Sequence, residues 1–330
     1  MKTIKYLLAF IIGVIVASCS SNIESELIQK PYTYSDLYYK NLRAFKASDH
    51  PISFGWFAQY GQQNSMGVRF MGLPDSLDIC SMWGGIPAKE NKAMWDEIRF
   101  VQRVKGTKML SVAITRIDAE TDDHDFKKAY KDARSMAAGD EKEAALKKAI
   151  EMYAEYFLDE VFQNDLDGFD ADYEPEGDFL AGNYFVYFMQ HLAKYLGPNP
   201  NITKAERLKL IQERYGKDVT ATDKMLCVDC PGDPSSELYS ICNYYFQQAY
   251  GGGTYSSWPS EKVVFCCNMG DNWQGNMEAM YKQARYVPAK GKKGGFGAFF
   301  IHRDYNVTET NPTPYKRFRE CIQLQNPAIR

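Results

Sequence analysis

The chain has 330 residues, of which 45% are hydrophobic and 25% charged, and a formal net charge of -3. That is the composition of an ordinary globular protein, long enough for one large domain or two. With no strong basic block, it lacks the positive footprint that nucleic acid requires.

Lys2 and Lys5 precede an apolar run from Tyr6 to Ala17. A short positive segment before a run too short for a comfortable membrane span reads as a targeting signal outside the fold. The run ends in Val16-Ala17-Ser18-Cys19, which resembles the lipobox of bacterial lipoproteins. The resemblance implies a cut that removes residues 1–18 and a lipid on Cys19 that holds the chain to a membrane. The alternative is an ordinary signal peptide followed by a chance Cys. Residues 19–50 are polar and Tyr-rich, a tether running into a docking segment. Nothing after Cys19 is long and apolar enough to span a bilayer.

From Pro51 onward, strand-like and helix-like stretches alternate. Strand candidates lie at 52–59, 76–83, 109–115, 168–174, 225–229, 241–247, 263–268 and 296–302. Each is short, apolar and rich in β-branched, aromatic or small residues, as buried parallel strands are. Amphipathic helical stretches fall at 89–104, 126–162, 179–196, 205–215, 277–287 and 314–324. The second breaks near Ala138-Gly139-Asp140, which predicts two helices there. The helical signal is weak between strands five and six and between six and seven. Eight strands with intervening helices over ~280 residues predict an α/β fold of the (β/α)8 TIM-barrel type at 51–330. An open doubly wound sheet is the alternative, but no Gly-x-Gly-x-x-Gly follows the first strand. Gly251-Gly252-Gly253 and Gly294-Gly295 make neither that pattern nor a phosphate loop, so no cofactor is expected.

Of the eight Cys, Cys80, Cys227, Cys242, Cys266 and Cys267 sit in apolar, strand-like runs, where Cys behaves as a small hydrophobe. Cys227-Val228-Asp229-Cys230 has CxxC spacing, but no second pair or His pair completes a metal site, and none is expected.

The informative stretch is Asp167-Gly168-Phe169-Asp170-Ala171-Asp172-Tyr173-Glu174. Strand side chains alternate faces, so Asp170, Asp172 and Glu174 share one face and Phe169, Ala171 and Tyr173 the other. The apolar set suits the helix layer. Three carboxyls then face the barrel axis, with Glu174 nearest the C-terminal rim. Repulsion and partial burial must raise the pKa of at least one, and a carboxyl kept protonated near neutral pH is what protonates a leaving oxygen. A calcium site or a solvated acidic edge is the alternative, but calcium loops favour Asp, Asn and Gly on a turn, not a strand.

Asp-Gly-x-Asp-x-Asp-x-Glu at the end of the fourth strand resembles the signature of glycoside hydrolase family 18, which holds chitinases and endo-β-N-acetylglucosaminidases. Asp167, Gly168, Asp170, Asp172 and Glu174 match its fixed positions. The resemblance implies substrate-assisted catalysis. The substrate's 2-acetamido oxygen would attack to form an oxazolinium, Glu174 would act as general acid and then base, and Asp172 would orient the acetamido group. Asp172 would share a proton with Asp170 or Glu174.

Gln248-Ala249-Tyr250, just after strand six, resembles the endo-β-N-acetylglucosaminidase branch rather than the Met-x-Tyr-Asp of chitinases. It implies that Gln248 and Tyr250 bind substrate, Tyr250 through its hydroxyl; packing is the alternative for Tyr250. Trp56, Trp83 and Trp273 fall near the ends of strands one, two and seven, as sugar platforms or as core. Asn268 and Asp271-Asn272 follow strand seven, within reach of sugar hydroxyls. His302 ends strand eight as a hydrogen-bonded structural residue. That strand, 295–302, has no Trp at its end, where family chitinases place the floor under the reacting sugar.

The expected activity is hydrolysis of the chitobiose core of N-linked glycans. The rivals are a chitinase of the same family and a non-catalytic surface glycan-binding protein, which usually lacks the acid Glu. Glu24 and Glu26 follow Cys19 closely, a pattern that in glycan-foraging Gram-negative bacteria accompanies export to the surface. The expected setting is therefore an outer-membrane lipoprotein exposed at the cell surface, with an N-glycan or glycoprotein as substrate and glycan-uptake proteins as neighbours.

Overall fold

Eight strands lie where the eight short apolar runs predict them, and they close on themselves. In the computed structural model, which describes residues 33–61, 65–118, 124–174, 180–270 and 273–327, all strands are parallel and ordered β1 to β8 around a closed barrel. The strands are β1 (Ile52–Phe57), β2 (Ile79–Met82), β3 (Lys108–Ile114), β4 (Gly168–Asp172), β5 (Met225–Cys230), β6 (Tyr244–Gln247), β7 (Val263–Asn268) and β8 (Gly295–Phe299). The helices are α1 (Asp36–Lys46), α2 (Lys92–Arg99), α3 (Asp125–Ser135), α4 (Asp140–Gln163), α5 (Gly182–Leu192), α6 (Lys204–Tyr215), α7 (Glu278–Arg285) and α8 (Lys316–Gln325). The 126–162 stretch is indeed two helices, parted at Gly139, whose φ of 152° suits glycine. Between β5 and β6 there is only a 3-10 turn, Ser236–Leu238, and between β6 and β7 no helix.

Strands β1, β4 and β8 end two or three residues earlier than the sequence predicts, so Glu174 lies beyond β4 rather than on it. Gln59, at φ 63°, lies beyond the end of β1, and Phe300, at φ 56°, terminates β8. A left-handed residue cannot continue a ladder. His302 therefore sits in a 3-10 turn, Ile301–Tyr305, rather than on the strand.

Alternation along the strands fills the barrel. Ile52, Phe54 and Trp56 from β1 meet Ile79, Leu110, Cys227, Phe246, Val264 and Cys266 in one interior cluster. Phe54 and Phe246 stack with centroids 3.6 Å apart and planes at 10°. Gly297 makes room for them: a Cβ there would lie 2.8 Å from both Phe54 Cδ1 and Cys266 Sγ. The outer faces pack on the helices; Phe169 stacks on Phe157 of α4 at 4.5 Å. Burying each such ring contributes roughly 1.5–3 kcal/mol.

Helix α1 packs at the N-terminal rim, where Lys46 Nζ donates to the Leu77 carbonyl at 2.6 Å and to Thr107 Oγ1 at 2.8 Å. Thr203 and Glu206 form a reciprocal capping box at the start of α6. Seven Cys are buried free thiols. In Cys227-x-x-Cys230 the odd spacing sends Cys227 into the barrel and Cys230 into the helix-side core, so the two cannot close on one ion. Among the described residues, no helix is long and apolar enough to cross a membrane. The leader, Cys19, Glu24 and Glu26 lie outside the described residues, as do Asp271 and Asn272.

Candidate active site

Strand β4 brings its residues to the site in steps. Asp167, just before the strand, works for the architecture: its Oδ2 accepts from the Met109 amide at 2.9 Å and Gln102 Nε2 at 2.7 Å, and its Oδ1 pairs with Lys108 at 3.1 Å. It latches β4 to β3 at the end away from the site. Gly168 has to be glycine, because a Cβ would sit 2.3 Å from the Met225 carbonyl oxygen. Asp170 and Asp172 then point into the barrel, at 0% and 1% exposure.

Each buried carboxyl has named donors. Asp170 Oδ2 accepts from Trp56 Nε1 at 3.1 Å and Ser81 Oγ at 2.6 Å. Asp172 Oδ1 accepts from Gln248 Nε2 at 3.1 Å. Burial nevertheless wins over these bonds. It pushes Asp170 up to about 7 and Asp172 up to about 6, with their mutual repulsion and the charge of Glu174 adding to the rise. Glu174 stands two residues beyond the strand end, half-buried, with no hydrogen bond among the described residues. Tyr173 holds this extension in place: its ring stacks on Phe185 at 3.9 Å, and its hydroxyl accepts from the Gly182 amide at 3.2 Å. The least tethered carboxyl is thus the outermost, nearest to where a ligand would enter.

Gln248 and Tyr250 reach the same place from β6. Gln248 continues the inward face of Tyr244 and Phe246 and bridges two carboxyls. The Tyr250 hydroxyl lies within the field of Asp229, Asp172 and Glu174, and burial first, then those charges, raise its pKa. Trp56 takes the core alternative: it is 1% exposed, wedged edge-on against Phe54 at 4.5 Å, and serves as donor to Asp170 rather than as an open platform. Trp83 is half-buried at the mouth, edge-on to Phe299 at 5.6 Å. Trp273 packs instead on the outer cluster that holds Met277 and Met280, and its carbonyl accepts from Arg317 at 2.5 Å. Asn268 spends its Oδ1 on the Gly270 amide at 2.6 Å. His302 is not hydrogen-bonded as the sequence suggests. Both ring nitrogens are buried without a partner among the described residues, and burial lowers it to about 4, so it is neutral.

Two residues escape the sequence reading. Asp229, on β5, is 1% exposed, sits opposite Asp172 in the strand register, and accepts from the same Gln248 amide at 2.7 Å. Burial, then the charges of Asp170 and Asp172, hold its pKa well above the ordinary value. The available signal is the alternation of Cys227 and Asp229 along a barrel strand. Phe299 ends β8, with its ring centroid 6.2 Å from that of Trp56, 5.6 Å from Trp83 and 6.1 Å from Tyr250, where alternation from Gly295 and Gly297 aims it. No group of described His, Cys, Asp or Glu residues has metal-binding geometry.

The chain as a whole has counterparts among known proteins. The family model for glycoside hydrolase family 18, BT1044-like, matches residues 18–262. The chain belongs to glycoside hydrolase family 18. Endo-beta-N-acetylglucosaminidase F2 of Elizabethkingia meningoseptica is 25% identical, over 99% of this chain and 100% of that protein. A solved structure of BT1044 superposes with a TM-score of 0.65 at 22% identity, covering 88% of this chain and 93% of that one. The endo-beta-N-acetylglucosaminidase of Cordyceps militaris, solved in complex with fucosyl-N-acetylglucosamine-Asn, superposes at 0.60 with 19% identity, over 90% and 98%. Both share the family-18 fold. The protein is accordingly a glycoside hydrolase, and Asp172 and Glu174 stand at the barrel end where such folds carry their chemistry.

Proposed function

We propose that this family-18 enzyme is an endo-β-N-acetylglucosaminidase that cuts between the two N-acetylglucosamines of the N-glycan chitobiose core. The observation that carries the reading is the convergence of Asp172, Gln248, Tyr250 and Glu174, a set suited to an acetamido group beside a leaving oxygen. The similarity to endo-beta-N-acetylglucosaminidase F2 across the whole chain supports the substrate, and so does Phe299 in place of a Trp at the end of β8.

In this reading Glu174 donates its proton to the glycosidic oxygen while the C1–O bond breaks. The 2-acetamido oxygen attacks C1 and closes an oxazolinium ring. Asp172 accepts from the acetamido N–H and faces the positive charge, and Tyr250 O–H holds the attacking carbonyl. Glu174 then takes a proton from water, whose oxygen attacks C1, reopens the ring and restores the acetamide. Two displacements at C1 retain its configuration. The enzyme works as a lipoprotein anchored through Cys19 to the outer membrane, facing outward.

Incubation with a glycoprotein should leave one N-acetylglucosamine on Asn and release a glycan ending in the other, read by mass spectrometry. Glu174→Gln, which keeps size but holds no transferable proton, should lose at least ~10²-fold in rate. Near-normal turnover by that variant would remove Glu174 from the mechanism. Cleavage of chitin oligomers with high-mannose and complex N-glycoproteins both untouched would make the enzyme a chitinase.

A further inference from the structure

We propose that Asp229 is a positioning residue for the acetamido-orienting carboxylate: a proton on Asp229 bridges it to Asp172 across the β4–β5 seam, and Gln248 locks the pair. The role assigned to Asp172 rests on the functional reading above; the shared proton does not.

The geometry leaves little freedom. Asp172 and Asp229 are register partners on adjacent parallel strands, so their side chains lie side by side on the inner face. A single amide, Gln248 Nε2, donates to Oδ1 of both, at 3.1 and 2.7 Å. Its two protons serve one carboxyl each. The other oxygen of each, Oδ2, is buried and has no donor among the described residues, as has Oδ1 of Asp170. Two ionised carboxylates this close and this dry cannot coexist, and each undonated oxygen would carry the desolvation cost of an unmade hydrogen bond. One proton between the pair relieves both problems.

The surroundings decide which carboxyl holds it. Asp229 is faced by Asp170 and Asp172 from β4, by Cys227 on its own strand, by Tyr250 beyond β6 and by Cys266 from β7, with Tyr245 within its field from the helix side. Burial keeps those thiols and phenols neutral, so they offer no compensating charge. Gln248 donates to both and does not discriminate, but the cation of Arg116 reaches Asp172, against the charge of Glu174, whereas no cation among the described residues acts on Asp229. The proton therefore resides on Asp229 and donates to Asp172, which stays ionised to accept from the substrate. It does not leave the pair during turnover.

The first test needs no substrate. In full-length enzyme labelled with 13C at the aspartate side-chain carboxyl, one aspartyl carbon should keep its protonated chemical shift at about pH 8, far above the ordinary Asp range. The Asp229→Asn variant should lack that signal. Asp229→Asn keeps a permanent N–H donor to Asp172, so its kcat should stay within ~10-fold of wild type. Asp229→Ala removes the donor and should lose at least ~10²-fold in kcat with KM within a few-fold. Absence of any aspartyl carbon protonated at about pH 8 in the wild type overturns the proposal, whether or not the Ala variant folds. An Asn variant as impaired as the Ala variant also overturns it. Wild-type enzyme that shows the signal but releases no N-glycan refutes the substrate reading and leaves the shared proton standing.

Discussion

Asp170 is enclosed at the centre of the barrel with two donors on one oxygen and none, among the described residues, on the other. Burial raises it from 3.8 to about 7, which has a consequence for stability. Between those values the folded chain holds a proton that the unfolded chain has released. Stability then falls as pH rises through that window. An Asn at this position accepts from Trp56 and Ser81 as the acid does and carries no titratable proton. Asp170→Asn should therefore flatten the pH dependence. The drop in melting temperature between pH 5 and pH 7.5 should be smaller in the variant than in wild type. Equal drops would show that Asp170 holds no extra proton in the fold. The same carboxyl anchors the indole of Trp56, so the residue that sets this linkage also shapes the floor beneath Asp172.

Strands were legible because each is a short apolar run, and the face of β4 was legible because alternation is a local rule. Asp170 and Asp172 follow from their own sequence neighbours. Asp229 does not: its place beside Asp172 depends on how β4 and β5 pair, and register is a property of two strands. Trp56 misleads for the same reason, since a Trp near a strand end is a platform or a core residue according to what packs across the barrel. Helix signals failed to appear after β5 and β6 because no helix forms there. Gly297 of β8 shows the cross-barrel constraint most directly. Gly297→Ala would drive a methyl to 2.8 Å from Phe54 Cδ1 and Cys266 Sγ, and Phe54 is already stacked on Phe246. Overpacking of this kind costs about 1–3 kcal/mol. The variant should melt lower, and its activity should fall with it, because Phe54 supports Trp56. Gly232→Ala, where a Cβ meets nothing within 4 Å, is the matched control and should melt as wild type. Equal melting of the two variants would mean that β8 yields more readily than a packed barrel should.

Across the whole molecule, the chain enters the barrel at one end and the carboxyls sit at the other. Helix α1 is fixed at the N-terminal rim by Lys46, bonded to Leu77 and Thr107 ahead of β2 and β3, whereas Asp172 ends β4 and Asp229 is the last residue but one of β5. An anchor upstream of α1 would thus tether the enzyme by the rim opposite its mouth. Residues 20–35 between Cys19 and α1 would span at most roughly 58 Å when fully extended, which bounds how far a lipid there could hold the barrel from its membrane. A lipid on Cys19 would then govern where the enzyme works and not how fast. Cys19→Ser removes the thiol that would carry the lipid and changes none of the motif carboxyls. It should move the protein out of the membrane fraction or leave it unprocessed, while kcat on a soluble glycoprotein, measured on the isolated protein, stays at the wild-type value. Surface display is tested on intact cells: added protease should degrade an outward-facing enzyme and spare a periplasmic one. A Cys19→Ser protein that still fractionates with membranes would rule out the lipid anchor and leave the barrel's chemistry untouched.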